Sequence, residues 1–297
     1  MGTSQSSGGP GGGVPMVPPW TPSPPADSGD AGPRDGGDGG GDDGDGDPSN
    51  PADGPPAAPA AAPPALVRPV PIAPGGRFAG ARRSLGEFAR SGDAGDMRRS
   101  LGHHVRRGYG GAATAARRFG GTAATADALD GALATVATGR VAAPGSPLDP
   151  ALLAGRSVED VMDAVVEAVR PVDGTQDAEA ERASIRDALS ELLTRYPDAD
   201  LLNLEPDQRA YAIERFAATD VYRRFDLDLG KALRDKAPSA VTALSRLKQV
   251  KDYVKETVAA AFRRMRDAGR AVTAGRVNQI VRDALRDTFE VFEGYSE

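Results

Sequence analysis

The first 76 residues of this 297-residue chain limit what can fold, since they hold 18 of its 25 prolines and 18 of its 37 glycines. Within them, residues 27–53 carry nine aspartates against the single Arg34. Such a tract buries too little apolar surface to offset the entropy of ordering it, so residues 1–76 are expected to form a disordered arm. About 220 residues are left to build a core, enough for one sizeable domain or two small ones.

The remaining composition removes several classes of chemistry. With no cysteine in the chain, disulfides, thiol nucleophiles and Cys-ligated metal centres are excluded. Its only two histidines, His103 and His104, are adjacent. On a helix they point about 100° apart and cannot chelate one metal, so a solvated or capping role is expected for both. The acids lie mostly beside Arg or Lys at helical spacing, as in solvated ion pairs. No convergent catalytic group can be named, so no enzyme, cofactor or resident metal is expected.

Charge is polarised along the chain beneath a net charge of −6. Residues 1–76 sum to −7, residues 77–126 to +7 and the remainder to −6. The basic segment is therefore expected to meet an acidic partner or the chain's own acidic tract. No window approaches 18 apolar residues, and the N-terminus has no basic and apolar leader. A soluble, cytoplasmic protein is expected.

Beyond the arm, the apolar spacing is helical throughout and the fold class is all-α. Ser157 caps a stripe of Val158, Val161, Met162, Val165, Val166 and Val169 that ends at Arg170-Pro171. A second helix spans roughly 176–195, and Pro206 opens a third. A short one near 228–236 stops before Pro238. Ser239 starts the longest, whose inner face reads Val241, Leu244, Leu247, Val250, Val254, Val258, Ala261 and Met265, and Gly269 closes it. Thr273 is expected to cap the last helix. No alternating β-branched run suggests strands.

The segment 77–140 is Arg- and Gly-rich and repeats Arg82-Arg83-Ser84-Leu85-Gly86 as Arg98-Arg99-Ser100-Leu101-Gly102. It is expected to form short helices jointed at glycines, then an Ala-rich helix to about Thr138. Residues 141–148 would link it to a helical domain over 148–297. Its arginines, with Phe88, Tyr109 and Phe119 among them, also suit nucleic-acid contact. Three phosphate- or calcium-like patterns are set aside. Asp43-x-Asp45-x-Asp47 lacks the glycine and glutamate of a calcium loop. Gly39-x-Gly41-x-x-Gly44 sits in acid with no strand before it, and Gly108–Ala113 follows a helix rather than a strand.

The N-terminus carries more information. Removal of Met1 exposes Gly2, an unhindered amine with a pKa of about 7.7 and hence an appreciable nucleophilic fraction at neutral pH. Behind it, Val14, Met16, Val17 and Trp20 form the one apolar island of the first 60 residues, and Trp20 is the only tryptophan. A Trp beside Pro18-Pro19 in such a tract reads as a docking anchor.

Several strings in the chain are specific to one family. They are Met1-Gly-Thr-Ser-Gln-Ser-Ser7, Gly12-Gly-Val-Pro-Met-Val-Pro-Pro-Trp20, Met97–Gly111, Ala116–Thr122 and Gly145–Gly155. Through them the chain resembles the QatB family of bacterial Qat antiphage systems, with only the low-complexity tract 21–75 unmatched. The resemblance implies a four-gene operon with an ATPase, a QueC-like enzyme and a TatD-like nuclease. It further implies a non-enzymatic component that pairs with the ATP-using QueC-like partner. Gly2 would then be the acceptor of a 7-deazaguanine-type adduct. Partner contacts are expected at Val14, Met16, Val17, Trp20, Arg98, Arg99, Arg106, Arg107 and Tyr109. The alternative is a nucleic-acid-binding adaptor that uses Arg82 to Arg118 to present phage DNA to the nuclease.

Overall fold

The computed structural model describes residues 76–138, 145–270, 272–273 and 275–296. The expectations for the arm, including Gly2 and the Val14–Trp20 island, lie outside the described residues. Among the described residues every regular element is helical. The body is all-α.

Helices α1 (Ala79–Ser91) and α2 (Ala94–His103) form an antiparallel pair. The turn between them is encoded locally. Gly92, in the left-handed region at φ 76°, closes α1. Asp93 then opens α2 by accepting from the Asp96 amide. A π-helical stretch, His104–Tyr109, continues α2. Short α3 (Ala112–Arg118) and the Ala-rich α4 (Gly120–Ala137) complete this part.

After a one-turn α5 (Pro150–Leu153) come α6 (Val158–Val169) and α7 (Gln176–Arg195), capped by Ser157 and Thr175. Helix α8 (Pro206–Phe225) begins with Glu205 and Gln208 in a reciprocal capping box. It runs through a second π-helical stretch, Asp226–Gly230, into α9 (Lys231–Lys236). Ser239 caps the 28-residue α10 (Ala240–Asp267), and α11 (Val277–Glu293) ends in a 3₁₀ turn.

Helix α8 is the packing centre, lying against α4, α7 and α10, while α11 seats α3, α4 and α10. A continuous apolar core joins Phe78, Phe88 and Phe119 to Phe216, Phe225, Phe262 and Phe292. Segments 77–138 and 145–296 thus share one interior. Each such fully buried side chain stabilises by about 1.5–3 kcal/mol relative to exposure. One glycine shows why the repeat needs small residues. A Cβ at Gly102 would meet the Ser296 backbone nitrogen at 2.6 Å, so the closing turn packs directly on α2.

Two local expectations are corrected. Val241 and Leu244 are 78% and 69% exposed, whereas Ala243 takes the inward place. Stepping back from Leu247, the helix uses an interval of four rather than three, which turns Leu244 to the flank. The last helix starts at Val277 rather than just after Thr273.

Candidate functional site

The two π-helical stretches meet. His104 Nε2 lies 2.9 Å from Asp228 Oδ2, and the Tyr109 hydroxyl donates to that same oxygen at 2.9 Å. His104 and Tyr109 come from the first stretch and Asp228 from the second, 119 or more residues away. Each stretch holds one residue more than an α-turn needs, and that extra residue re-aims the side chains beyond it. Gly108 makes room, because a Cβ there would overlap the Phe78 ring. Phe78, Phe225 and Phe119 surround the His104 and Tyr109 rings at centroid distances of 5.2–6.0 Å.

This environment sets the charge of the cluster. Burial pushes the Asp228 carboxyl up, but the hydrogen bond and charge of His104, the hydrogen bond of Tyr109 and the charge of Arg77 outweigh it and hold it below the ordinary carboxylate range. Burial first, and the Asp228 charge and hydrogen bond second, push the Tyr109 phenol up. At neutral pH the cluster is therefore a carboxylate held by two donors. His104 is buried and paired, so the expectation that it would be solvated or capping is corrected. Tyr109, expected as a partner contact, has its hydroxyl committed to Asp228.

In front of the cluster lies a cavity of about 350 Å³ lined by Arg77, Tyr109, Arg118, Arg224, Leu227 and Asp228, among others. Arg224 is fully engaged. It reaches Asp220 at 3.4 Å, Glu181 at 3.0 Å and Asp177 at 3.6 Å, and stacks over Phe119. Glu181 also meets Arg170 at 2.9 Å and Thr125 at 3.1 Å, and Asp220 accepts from Thr122 at 2.6 Å. Asp220 is completely buried, and that burial raises its carboxyl against the opposing charge of Arg224. These acids belong to an interior network rather than to the solvated pairs that their spacing suggests.

The Gly108–Ala113 turn offers no phosphate loop. The Ala112 amide at the start of α3 donates to Glu293 Oε2 at 2.9 Å, so a carboxylate already holds that helix end. No group of three or more His, Asp or Glu suited to a metal exists among the described residues. None of the described helices is long and apolar enough to cross a membrane.

Arg98, Arg99, Arg106 and Arg107 are all exposed. Arg99 pairs with Asp96 on its own helix, Arg98 lies over the Tyr253 ring at 5.8 Å and Arg106 donates to Ser296. Arg98, Arg106 and Arg107 make no ion pair among the described residues. The His104–Asp228 pairing was missed because its partners are 124 positions apart. The one sequence signal near it is the Gly108-Tyr109-Gly110 spacing.

Comparison with known proteins adds one result. The family model described as "Qat anti-phage system associated protein QatB" matches residues 110–292. That span includes Asp228 and the Arg224 network but begins just after Tyr109. No curated protein and no solved structure matches the chain. With more than half of its length matched, the chain belongs to the QatB family and is a component of a Qat anti-phage defence system.

Proposed function

We propose that this QatB-family chain performs no catalysis of its own, docks a QueC-like, ATP-using operon partner, and presents Gly2 to that partner. The Gly2 amine is the nucleophile that accepts a 7-deazaguanine-type group. Its new N–C bond replaces an N–H bond, and the partner's ATP supplies the activated leaving group. The observation that carries the docking half is the exposed arginine face of α2 and the π-helical stretch after it. There Arg98, Arg106 and Arg107 keep their charge uncommitted to any described carboxylate. Uncommitted guanidinium groups are suited to carboxylates on a partner and speed encounter with an acidic surface. The conjugation half rests on the chemistry of the Gly2 amine and on what the family resemblance implies. Val14, Met16, Val17 and Trp20 serve as the anchor that brings Gly2 to the partner's site.

Intact mass of the chain, expressed alone and with its operon partners, tests this reading. An added mass located on Gly2 only in the presence of the QueC-like partner is the expected result. An unmodified Gly2 with all partners present overturns the conjugation half. The same arginines favour a second reading, delivery of phage DNA to the TatD-like nuclease. DNA binding that weakens steeply with salt, and is lost when these three arginines are replaced, would favour that adaptor role.

A further inference from the structure

We propose that the cavity between the two π-helical stretches binds a small phosphate ester that also carries an N–H hydrogen-bond donor. Four observations converge on it. First, the only two π-helical stretches among the described residues both face this cavity, and such insertions gather at functional sites. Second, Arg77 and Arg118 line it from separate elements, and neither makes an ion pair within 4 Å among the described residues, although the Arg77 charge also acts on Asp228 and Asp177 shares the lining. Two guanidinium groups free of contact ion pairs in one concavity match the charge and fork geometry of a phosphate monoester. Arg224, whose charge three carboxylates already use, fixes the wall rather than the ligand.

Third, Asp228 is preset as an acceptor. Both its hydrogen bonds fall on Oδ2, leaving Oδ1 of a lining residue without a described partner. A bare phosphate would be repelled there, whereas an N–H donor on the same ligand would satisfy that oxygen. Fourth, a volume of about 350 Å³ falls in the range of small-molecule sites. His104 and Tyr109 act as positioning residues, holding the carboxylate from behind. None of Arg98, Arg99, Arg106 and Arg107 lines it, so it stands or falls independently of the docking reading above.

Calorimetry on the full chain, without partners, tests the proposal with four probes. AMP carries both features, ribose 5-phosphate only the phosphate, adenosine only the N–H donor, and a single-stranded DNA 12-mer is the polymeric competitor. AMP is expected to bind with a Kd below about 1 mM, and the two half-ligands at least about tenfold more weakly. Arg77→Ala with Arg118→Ala should lower AMP affinity at least about tenfold, with the helical signal and melting temperature retained. If the double variant does not fold, Arg118→Ala alone serves, because Arg118 is exposed. Absence of AMP binding, equal binding of adenosine, undiminished affinity in the folded arginine variant, or DNA binding tighter than that of AMP and lost with Arg77 and Arg118 would each overturn the site.

Discussion

Arginines do opposite things in the two parts of this body. Between residues 170 and 224, Arg170, Arg182, Arg186, Arg215, Arg223 and Arg224 each meet a carboxylate on another helix or turn. Between residues 77 and 118, only Arg90 and Arg99 find acids among the described residues, each one turn away on their own helix. The side chain is the same, and the neighbouring helix decides its role. Where α7 supplies Asp177, Glu181, Asp187 and Glu191, guanidinium charge is consumed in holding helices together. Where α1 and α2 face solvent, the charge stays available to a partner.

The sharpest way to break this contrast is Arg224→Ala. Removing it leaves Asp220 buried without its counter-charge and Glu181 with Arg170 alone, so unfolding in urea should show a loss of about 3–5 kcal/mol. A loss below about 1 kcal/mol would mean the network is not what binds α7 to α8. Next in size, Asp228→Ala should cost about 1–3 kcal/mol by orphaning the donors of His104 and Tyr109.

Titration sharpens the same comparison, because the two carboxylates differ in sign. The Asp228 carboxyl is depressed on folding, so its contribution is present above the unfolded value of about 3.9 and is lost as pH falls through its lower folded value. Burial raises Asp220 instead, so its share of stability falls as pH rises from about 3.9 to its higher folded value. Stability measured against pH should therefore lose its acid sensitivity in part in Asp228→Ala. In Asp220→Asn the opposing slope should flatten. The reverse assignment would contradict the description of both sites.

Smaller still is the effect expected on stability from replacing Arg98, Arg99, Arg106 and Arg107 together by alanine. Exposed charges contribute little, so the melting free energy should shift by less than about 1 kcal/mol while co-purification with operon partners is lost. A collapse of stability would place these arginines with Arg224 instead. Least of all, Val241→Ser and Leu244→Ser should each change stability by no more than about 0.5 kcal/mol, as both are exposed.

How far the sequence reached depends on distance along the chain. Ser157, Ser239 and the 176–195 helix were readable because caps and periodicity act within a few residues. The α10 face was misread at its start, since Leu244 and Ala243 fit the apolar spacing almost equally and only packing chooses between them. Neither π-helical stretch was readable, because nothing local marks a single extra residue. His104 followed from that, since neither its burial nor its partner Asp228 has a nearby signature. The exposed arginines were legible as charge, but their lack of partners became visible only once the acids of α7 were placed beside α8.

The rod formed by α8, Asp226–Gly230 and α9 has one more consequence. It is a single helical column whose phase slips midway, so its two ends point their apolar sides in different directions. Below the slip, Phe216 and Ile213 face the interior shared with α7 and α10, and above it Leu233 is buried where α9 meets α1. Deleting Asp226 or Leu227 would restore an even winding and swing everything after it by about 100°. Leu233 would be carried off its seat and Asp228 away from His104 in the same stroke. The interval acts as a gear tooth that must be counted exactly once, so a length change there costs more than most substitutions.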